Sequence, residues 1–372
     1  MKIGIDARIY GSKFTGIGRY NVELIHHLAQ LDKHNEYVIF LRQEEFETFT
    51  PPNKRFTKVP ADFPHYSWAE QTGFNQLLKK HKLDLMHFTH FNAPVFYNRP
   101  YVVTIHDLTL SFFPSKKSNF IKNLAYKFII RRVTRGAKHV IAISQNTKKD
   151  LMETLNLPEE KISMIYNGIH PKFGQINATS RQDLMKKLGI KQPYFLYTGV
   201  WRGHKNVVGM VKAFHAFNKA NGGEYNLVIT GKQNPLYHEI PDTIHQLGIG
   251  DQVHLVGMVS EEDLFGLYQN ALAYVFPSFY EGFGLPPLEA MQCGIPVIAS
   301  NTSATPEVCG EGNALFFDPY DIKDIEAKMK QIATDPTLRD RLIKKGHERV
   351  KDFDWRKMTK AVLEVYRKAS EI

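Results

Sequence analysis

Two carboxylates stand eight positions apart in Glu281-Gly-Phe-Gly-Leu-Pro-Pro-Leu-Glu289, with Gly282 and Gly284 in the stretch between them. The apolar run at 271–277 reads as a buried strand ending at Pro277, and 288–293 reads as a helix, so the glycines lie between a strand end and a helix start. Glycines there let backbone N–H groups approach a ligand closely, and the following helix contributes the partial positive charge of its N-terminus. That combination suits a diphosphate. Glu281, ahead of the glycines, is placed to accept hydrogen bonds from sugar hydroxyls, and Glu289, within the helix, to hold a ribose diol at the other end of the same ligand. The ligand implied is a nucleotide sugar. Taken in isolation, a Glu pair at this spacing reads more readily as two solvated side chains on an ordinary connection.

Three further constellations follow predicted strands. Gly16 and Gly18, in Thr15-Gly-Ile-Gly18, open a helix after the first strand, as a phosphate- or sugar-contacting loop does and as a plain tight turn also does. A third glycine at dinucleotide-binding spacing is missing, and no early acidic residue is placed to read an NAD ribose, which argues against dehydrogenase chemistry. His106 and Asp107, in Thr104-Ile-His-Asp-Leu-Thr109, stand at the end of another strand, where a lone histidine is more often a satisfied structural residue than a catalytic one. His90 and Asn92 follow the preceding strand and are candidates for an acceptor side, with packing as the alternative.

The segment Phe276-Pro-Ser-Phe-Tyr-Glu-Gly-Phe-Gly-Leu-Pro-Pro-Leu-Glu-Ala-Met-Gln-Cys-Gly-Ile-Pro-Val-Ile-Ala-Ser300 resembles the donor-site signature of the retaining GT-B glycosyltransferases of family four, and the resemblance runs over essentially the whole chain. It implies that Glu281 contacts the transferred sugar, that the backbone of Gly282, Phe283, Gly284 and Leu285 binds phosphate, and that Glu289 binds the ribose. It implies also that His106 touches the sugar near its reactive carbon as a hydrogen-bond donor, with Asp107 orienting it or taking an acceptor proton, and that Lys205, in Gly199-Val-Trp-Arg-Gly-His-Lys-Asn206, neutralises the departing diphosphate. Many relatives carry an arginine where this chain has Val200, leaving Arg202 or His204 to compensate. By the same resemblance the enzyme works with retention and without a metal ion or other cofactor, and its nearest likeness is to bacterial mannosyltransferases using GDP-mannose, with dTDP- and UDP-sugar enzymes as alternatives. An epimerase or a non-catalytic binding module are the competing classes.

The elements that must position these residues alternate. Strands are expected at 2–9, 37–41, 83–88, 101–105 and 139–143, with a helix at 16–31, and a second series at 194–199, 226–230, 253–255, 273–276, 296–299 and 314–317. The polar, aperiodic stretch from about 172 to 192 reads as a linker. This predicts an α/β protein of two Rossmann-like, doubly wound domains, 1–174 for the acceptor and 175–354 for the donor, facing one another across a cleft. The last helix, 355–372, capped by Asp354, returns to the first domain in the resembled family.

A length of 372 residues suits two domains, and 43% hydrophobic residues suits a globular fold. No apolar run approaches the roughly 18 residues of a membrane span, and the N-terminus enters a strand at once, so a cytoplasmic protein is expected. Two cysteines, Cys293 and Cys309, read as thiols. The net charge of +10 lies wholly in residues 1–174, with 25 basic against 15 acidic residues, and gathers at Lys116, Lys117, Lys122, Lys127, Arg131, Arg132, Arg135 and Lys138. In the same segment Ile121, Leu124, Ala125, Phe128, Ile129 and Val133 recur at helical spacing. That pattern is either a core-packed helix with a basic outer face or a helix lying at an anionic membrane surface that presents a saccharide or lipid-linked acceptor. No nucleic-acid motif accompanies the charge.

Overall fold

A computed structural model describes residues 1–11, 15–116, 119–169, 178–190 and 193–371, without the side chain of Thr15. The chain divides into two units, Met1–Gly168 with Asp354–Ile372, and Ile169–Phe353. Gly168 stands where the chain leaves the first unit beside the segment that re-enters it. A Cβ there would lie 2.3 Å from the backbone nitrogen of Trp355, so only glycine fits.

The first unit carries β1 (Lys2–Asp6), β2 (Glu36–Leu41), β3 (Phe56–Pro60), β4 (Leu85–Phe88), β5 (Tyr101–Ile105), β6 (His139–Ala142) and β7 (Ile162–Met164). Every pairing among them is parallel, in the order β3-β2-β1-β4-β5-β6-β7. The central strands are apolar runs because helices cover both faces. β3 and β7 escape the sequence pattern: they are the sheet's two edges, one interrupted by Thr57 and Lys58, the other three residues long. β1 stops at Asp6 instead of running to Ile9, because Arg8 turns inward and is fully buried.

The helix Trp355–Glu371 belongs to this unit. Trp355, Met358, Val362, Val365 and Tyr366 share a core with Ile3, Ile5, Tyr20, Leu24 and Val102. The Asp354 carboxylate caps the helix start, accepting from Lys357 N–H at 2.9 Å. The helix Phe120–Gly136 is core-packed along only part of its apolar stripe. Its buried face is Tyr126, Ile130, Val133 and Thr134, whereas Ile121, Leu124 and Phe128 are exposed at 74%, 58% and 58%, as is Phe120 at 81%. Most of the apolar stripe therefore points away from the core, alongside the basic residues.

The second unit carries β8 (Tyr194–Thr198), β9 (Asn226–Thr230), β10 (Val253–Gly257), β11 (Ala273–Phe276), β12 (Val297–Ser300) and β13 (Leu315–Phe317), parallel throughout in the order β10-β9-β8-β11-β12-β13. Phe195, Tyr197, Phe214, Phe217, Val275 and Ile298 fill its core. The expected linker contains a helix, Arg181–Leu188. Ser180 caps it through Asp183 N–H, Gly189 at φ +68° ends it, and Leu184 is its one buried anchor, too sparse a stripe to register as periodicity. Part of the same stretch, 170–177 and 191–192, lies outside the described residues.

Each sheet reverses its winding once, between β1 and β4 and between β8 and β11. In doubly wound sheets the strand ends beside such a reversal are where ligands bind.

Candidate functional site

In the second unit the segment after β8 tightens into the turn Gly203–Lys205, and Asn206, at φ +51°, hands it to the helix Val207–Ala220. The loop after β11 carries Glu281. These are the two strands that flank the reversal, so residues 76 apart in sequence meet there. Lys205 Nζ lies 2.5 Å from Glu281 Oε1, with the two side chains 20% and 13% exposed. The Phe276 ring lies below the ammonium at 5.8 Å. A main-chain bond, Phe279 N–H to His204 C=O at 2.7 Å, ties the two turns directly.

Gly284, at φ +103°, is the residue that turns the loop into the helix Leu285–Gln292. A side chain there would be strained by the backbone and pressed against Phe276, 3.3 Å away. The helix thus begins at Leu285, three residues before the expected position, because Pro286 and Pro287 fit a first turn, whose N–H groups have no intrahelical partner. Since prolines lack N–H groups, Pro286 and Pro287 contribute no main-chain donor to this turn. The Phe283 side chain is used otherwise: it is buried, its ring edge-on to Phe353 at 5.6 Å.

Glu289 is 7% exposed. The buried Tyr268 hydroxyl donates to its Oε2 at 3.4 Å, and Thr198 Oγ1, at the end of β8, lies 3.0 Å from the Tyr268 hydroxyl and 3.1 Å from that of Tyr274. This chain of hydroxyls links the second glutamate back to the first strand of the sheet. Nothing in the sequence marks it, since Tyr268 and Tyr274 read as core aromatics. Around the position left by Val200, the Arg202 side chain is exposed and that of His204 is buried. Cys293 and Cys309 are free thiols, and burial raises both to about 12.

In the first unit Gly16 and Gly18 fall in the first turn of the helix Thr15–Leu31, Gly16 exposed and Gly18 buried, while 12–14 just ahead lie outside the described residues. His106 follows β5 directly. Its Nε2 lies 2.8 Å from the carbonyl oxygen of Thr89, and Tyr20 packs edge-on at 5.1 Å. A carbonyl only accepts, so Nε2 carries the proton, and burial lowers the imidazole's pKa, favouring the neutral ring. Neutral His106 therefore presents Nδ1 as an acceptor. This corrects the expectation of a donor: the donating nitrogen is already committed to Thr89. Asp107 Oδ1 accepts from Thr109 N–H at 2.8 Å, capping the short helix that follows instead of bonding His106.

His90 and Asn92 diverge. His90 is partly exposed, its Nδ1 accepting from Asn92 N–H at 3.3 Å. Asn92 is 2% exposed, and its Nδ2 donates to both Glu70 oxygens at 2.7 and 2.8 Å. Glu70 in turn pairs with the Arg8 guanidinium at 2.7 Å, which also pairs with Asp6 at 2.7 Å and sits 3.9 Å over the Phe74 ring. Packing accounts for the Asn92 amide. The buried Asp6–Arg8–Glu70 group went unread in the sequence, where its three members are scattered among ordinary surface charges.

Residues 14–173 match the family model described as Glycosyltransferase Family 4, and residues 180–349 the model described as Glycosyl transferases group 1. The chain is 30% identical over 267 residues to the O-antigen chain mannosyltransferase RfbU of Salmonella typhimurium, spanning 72% of this chain and 70% of that one. It is 25% identical over 372 residues to the O-antigen chain mannosyltransferase B of Escherichia coli, spanning 95% and 96%. The sucrose-phosphate synthase of Thermosynechococcus elongatus superposes with a TM-score of 0.80 at 20% identity, spanning 99% and 98%, and shares the fold.

Proposed function

The chain belongs to the family of group 1 and family 4 glycosyltransferases, and on that premise we propose that it transfers mannose from GDP-mannose to a saccharide or lipid-linked acceptor in cell-surface glycan synthesis, with retention and without a metal ion. The observation that carries the reading is the Lys205–Glu281 pair at the sheet reversal, with buried Glu289 on the adjoining helix. Lys205 is the cation for the diphosphate, whose charge grows as the glycosidic bond breaks. Glu281 accepts from hydroxyls of the transferred sugar, Glu289 from the ribose diol, and the main chain of Gly282, Phe283, Gly284 and Leu285 addresses phosphate. Arg202, exposed beside Lys205, stands in for the cation lost at Val200. In the first unit His106 Nδ1 is left to accept from a hydroxyl, and Gly16 and Gly18 allow a ligand close approach to the main chain.

For retention the diphosphate leaves from the face that the acceptor hydroxyl attacks. The new bond forms from acceptor oxygen to anomeric carbon as the bond to the leaving phosphate oxygen breaks, and that oxygen takes the hydroxyl proton. Support for mannose comes from the two mannosyltransferase relatives. Among the described residues no helix is long and apolar enough to cross a membrane. The acceptor's membrane is met instead by the helix Phe120–Gly136, whose exposed Phe120, Ile121, Leu124 and Phe128 enter the interface while Lys127, Arg131 and Arg132 meet anionic headgroups at the inner face.

Thermal unfolding with GDP-, UDP- and dTDP-sugars tests the donor. A ligand at a hundred times its dissociation constant stabilises by about 2.7 kcal/mol, and GDP-mannose is expected to do so while remaining unisomerised without acceptor. Stabilisation by a UDP- or dTDP-sugar alone would reassign the donor, and isomerisation would make the protein an epimerase.

A further inference from the structure

The segment after β12, residues 301–304, lies alongside the Glu281 loop and holds it at several points. Thr302 Oγ1 donates to the carbonyl of Phe279 at 3.0 Å. Ser303 Oγ accepts from the N–H of Glu281 at 2.9 Å, and Ala304 N–H donates to the carbonyl of Glu281 at 3.4 Å. Both main-chain polar groups of Glu281 are therefore taken by two consecutive residues, leaving its carboxylate to meet Lys205. Ser303 makes its contact from the left-handed region, at φ +51°, which costs a side-chain-bearing residue more than glycine. A serine kept in that conformation while its hydroxyl caps the neighbouring loop points to a fitted part.

We propose that Ser303 is a positioning residue that fixes the main chain of Glu281, and through it the carboxylate facing Lys205. The inference rests on the reading of Glu281 as the sugar-facing group. Loosening one N–H lets the loop after β11 rotate about its other ties, and a catalytic group displaced by about 1 Å can lose two orders of magnitude in rate. Glu289 hangs on the helix Leu285–Gln292 and the Tyr268 hydroxyl, supports of its own, so nucleotide affinity depends on Ser303 less than turnover does.

The test compares Ser303→Ala, which removes only the hydroxyl, with Ser303→Gly, which removes the whole side chain but tolerates the left-handed backbone conformation. Turnover at saturating GDP-mannose and the calorimetric affinity for GDP alone are measured for both. Each variant is expected to lose roughly tenfold or more in kcat with GDP affinity within about twofold of the unchanged protein. Ser303→Gly turning over at the original rate overturns the proposal, and so does GDP affinity falling in step with kcat, which marks general loosening. Glu281→Gln, run alongside, separates the two levels: if it keeps full activity the reading of Glu281 itself fails, whereas if it is inactive and Ser303→Gly is not, only the positioning role is lost.

Discussion

Lys205 and Glu281 meet at 2.5 Å across the reversal of the second sheet, so the cation read as a diphosphate partner is already paired before any ligand arrives. Both side chains are partly exposed, and a pair of this kind contributes at most about 1 kcal/mol. Its consequence is geometric: each partner holds the other's charged group in one place.

Lys205→Ala is expected to slow turnover at saturating donor by roughly a hundredfold, with a smaller change in donor dissociation constant, because the leaving group carries more charge in the transition state than in the intact donor. Single-turnover rates set against calorimetry decide this. A change confined to affinity makes Lys205 a ground-state binding residue.

Glu289→Ala is expected to weaken donor binding by about 1.5 to 3 kcal/mol, the range for hydrogen bonds to a charged group. Calorimetric titration with GDP-mannose measures it, and circular dichroism verifies the fold. A folded variant with unchanged affinity removes Glu289 from the site.

Vesicle sedimentation tests the exposed helix face. Binding to anionic vesicles is expected to fall as salt rises and as Lys122, Lys127, Arg131 and Arg132 become Gln, since headgroup attraction is screened. Replacing Phe120, Ile121, Leu124 and Phe128 by Ser should remove the binding that survives at high salt. Indifference of the unchanged protein to vesicles at low salt would leave the face to another partner.

Acid should destabilise the first unit. His87 is fully buried between Tyr366 and Thr104, and burial pushes its pKa down to about 3. The unfolded chain then binds more protons than the fold below about pH 6.5, so stability present above that pH is lost as pH falls, approaching about 1.4 kcal/mol per pH unit for this one group. Buried His106 shifts in the same direction. Urea unfolding followed between pH 7.5 and pH 5 is expected to show the decline; a flat profile contradicts it.

Met358→Ala, in the returning helix, should cost about 2 to 5 kcal/mol by leaving a cavity against the first unit's core. Urea midpoints for the two units, read separately, locate the loss. A loss confined to the second unit contradicts this packing.

Much of this was legible in the sequence where one strand or helix end carried the information. The glycines after β11, the flanking glutamates and the capping aspartate at 354 are local signals, and the structure keeps them at their expected elements. What was hidden needed partners from distant segments. Arg8 reads as the continuation of a strand until Glu70 is folded beside it. His106 reads as a donor until the Thr89 carbonyl is placed on its Nε2. Ile121, Leu124 and Phe128 have helical spacing, but spacing alone cannot say whether a stripe faces a core or the outside; burial of Tyr126 and Ile130 on the other face decides it.

The most direct test of the account is mannosyl transfer itself: the protein, GDP-mannose and a lipid-linked mannose-containing oligosaccharide in the presence of EDTA, with the new linkage read from its anomeric NMR signal. The account predicts product with the α configuration that the donor carries, undiminished by the chelator and formed roughly a hundredfold more slowly by Lys205→Ala. A β-linked product, or transfer that stops when metal is removed, would contradict it.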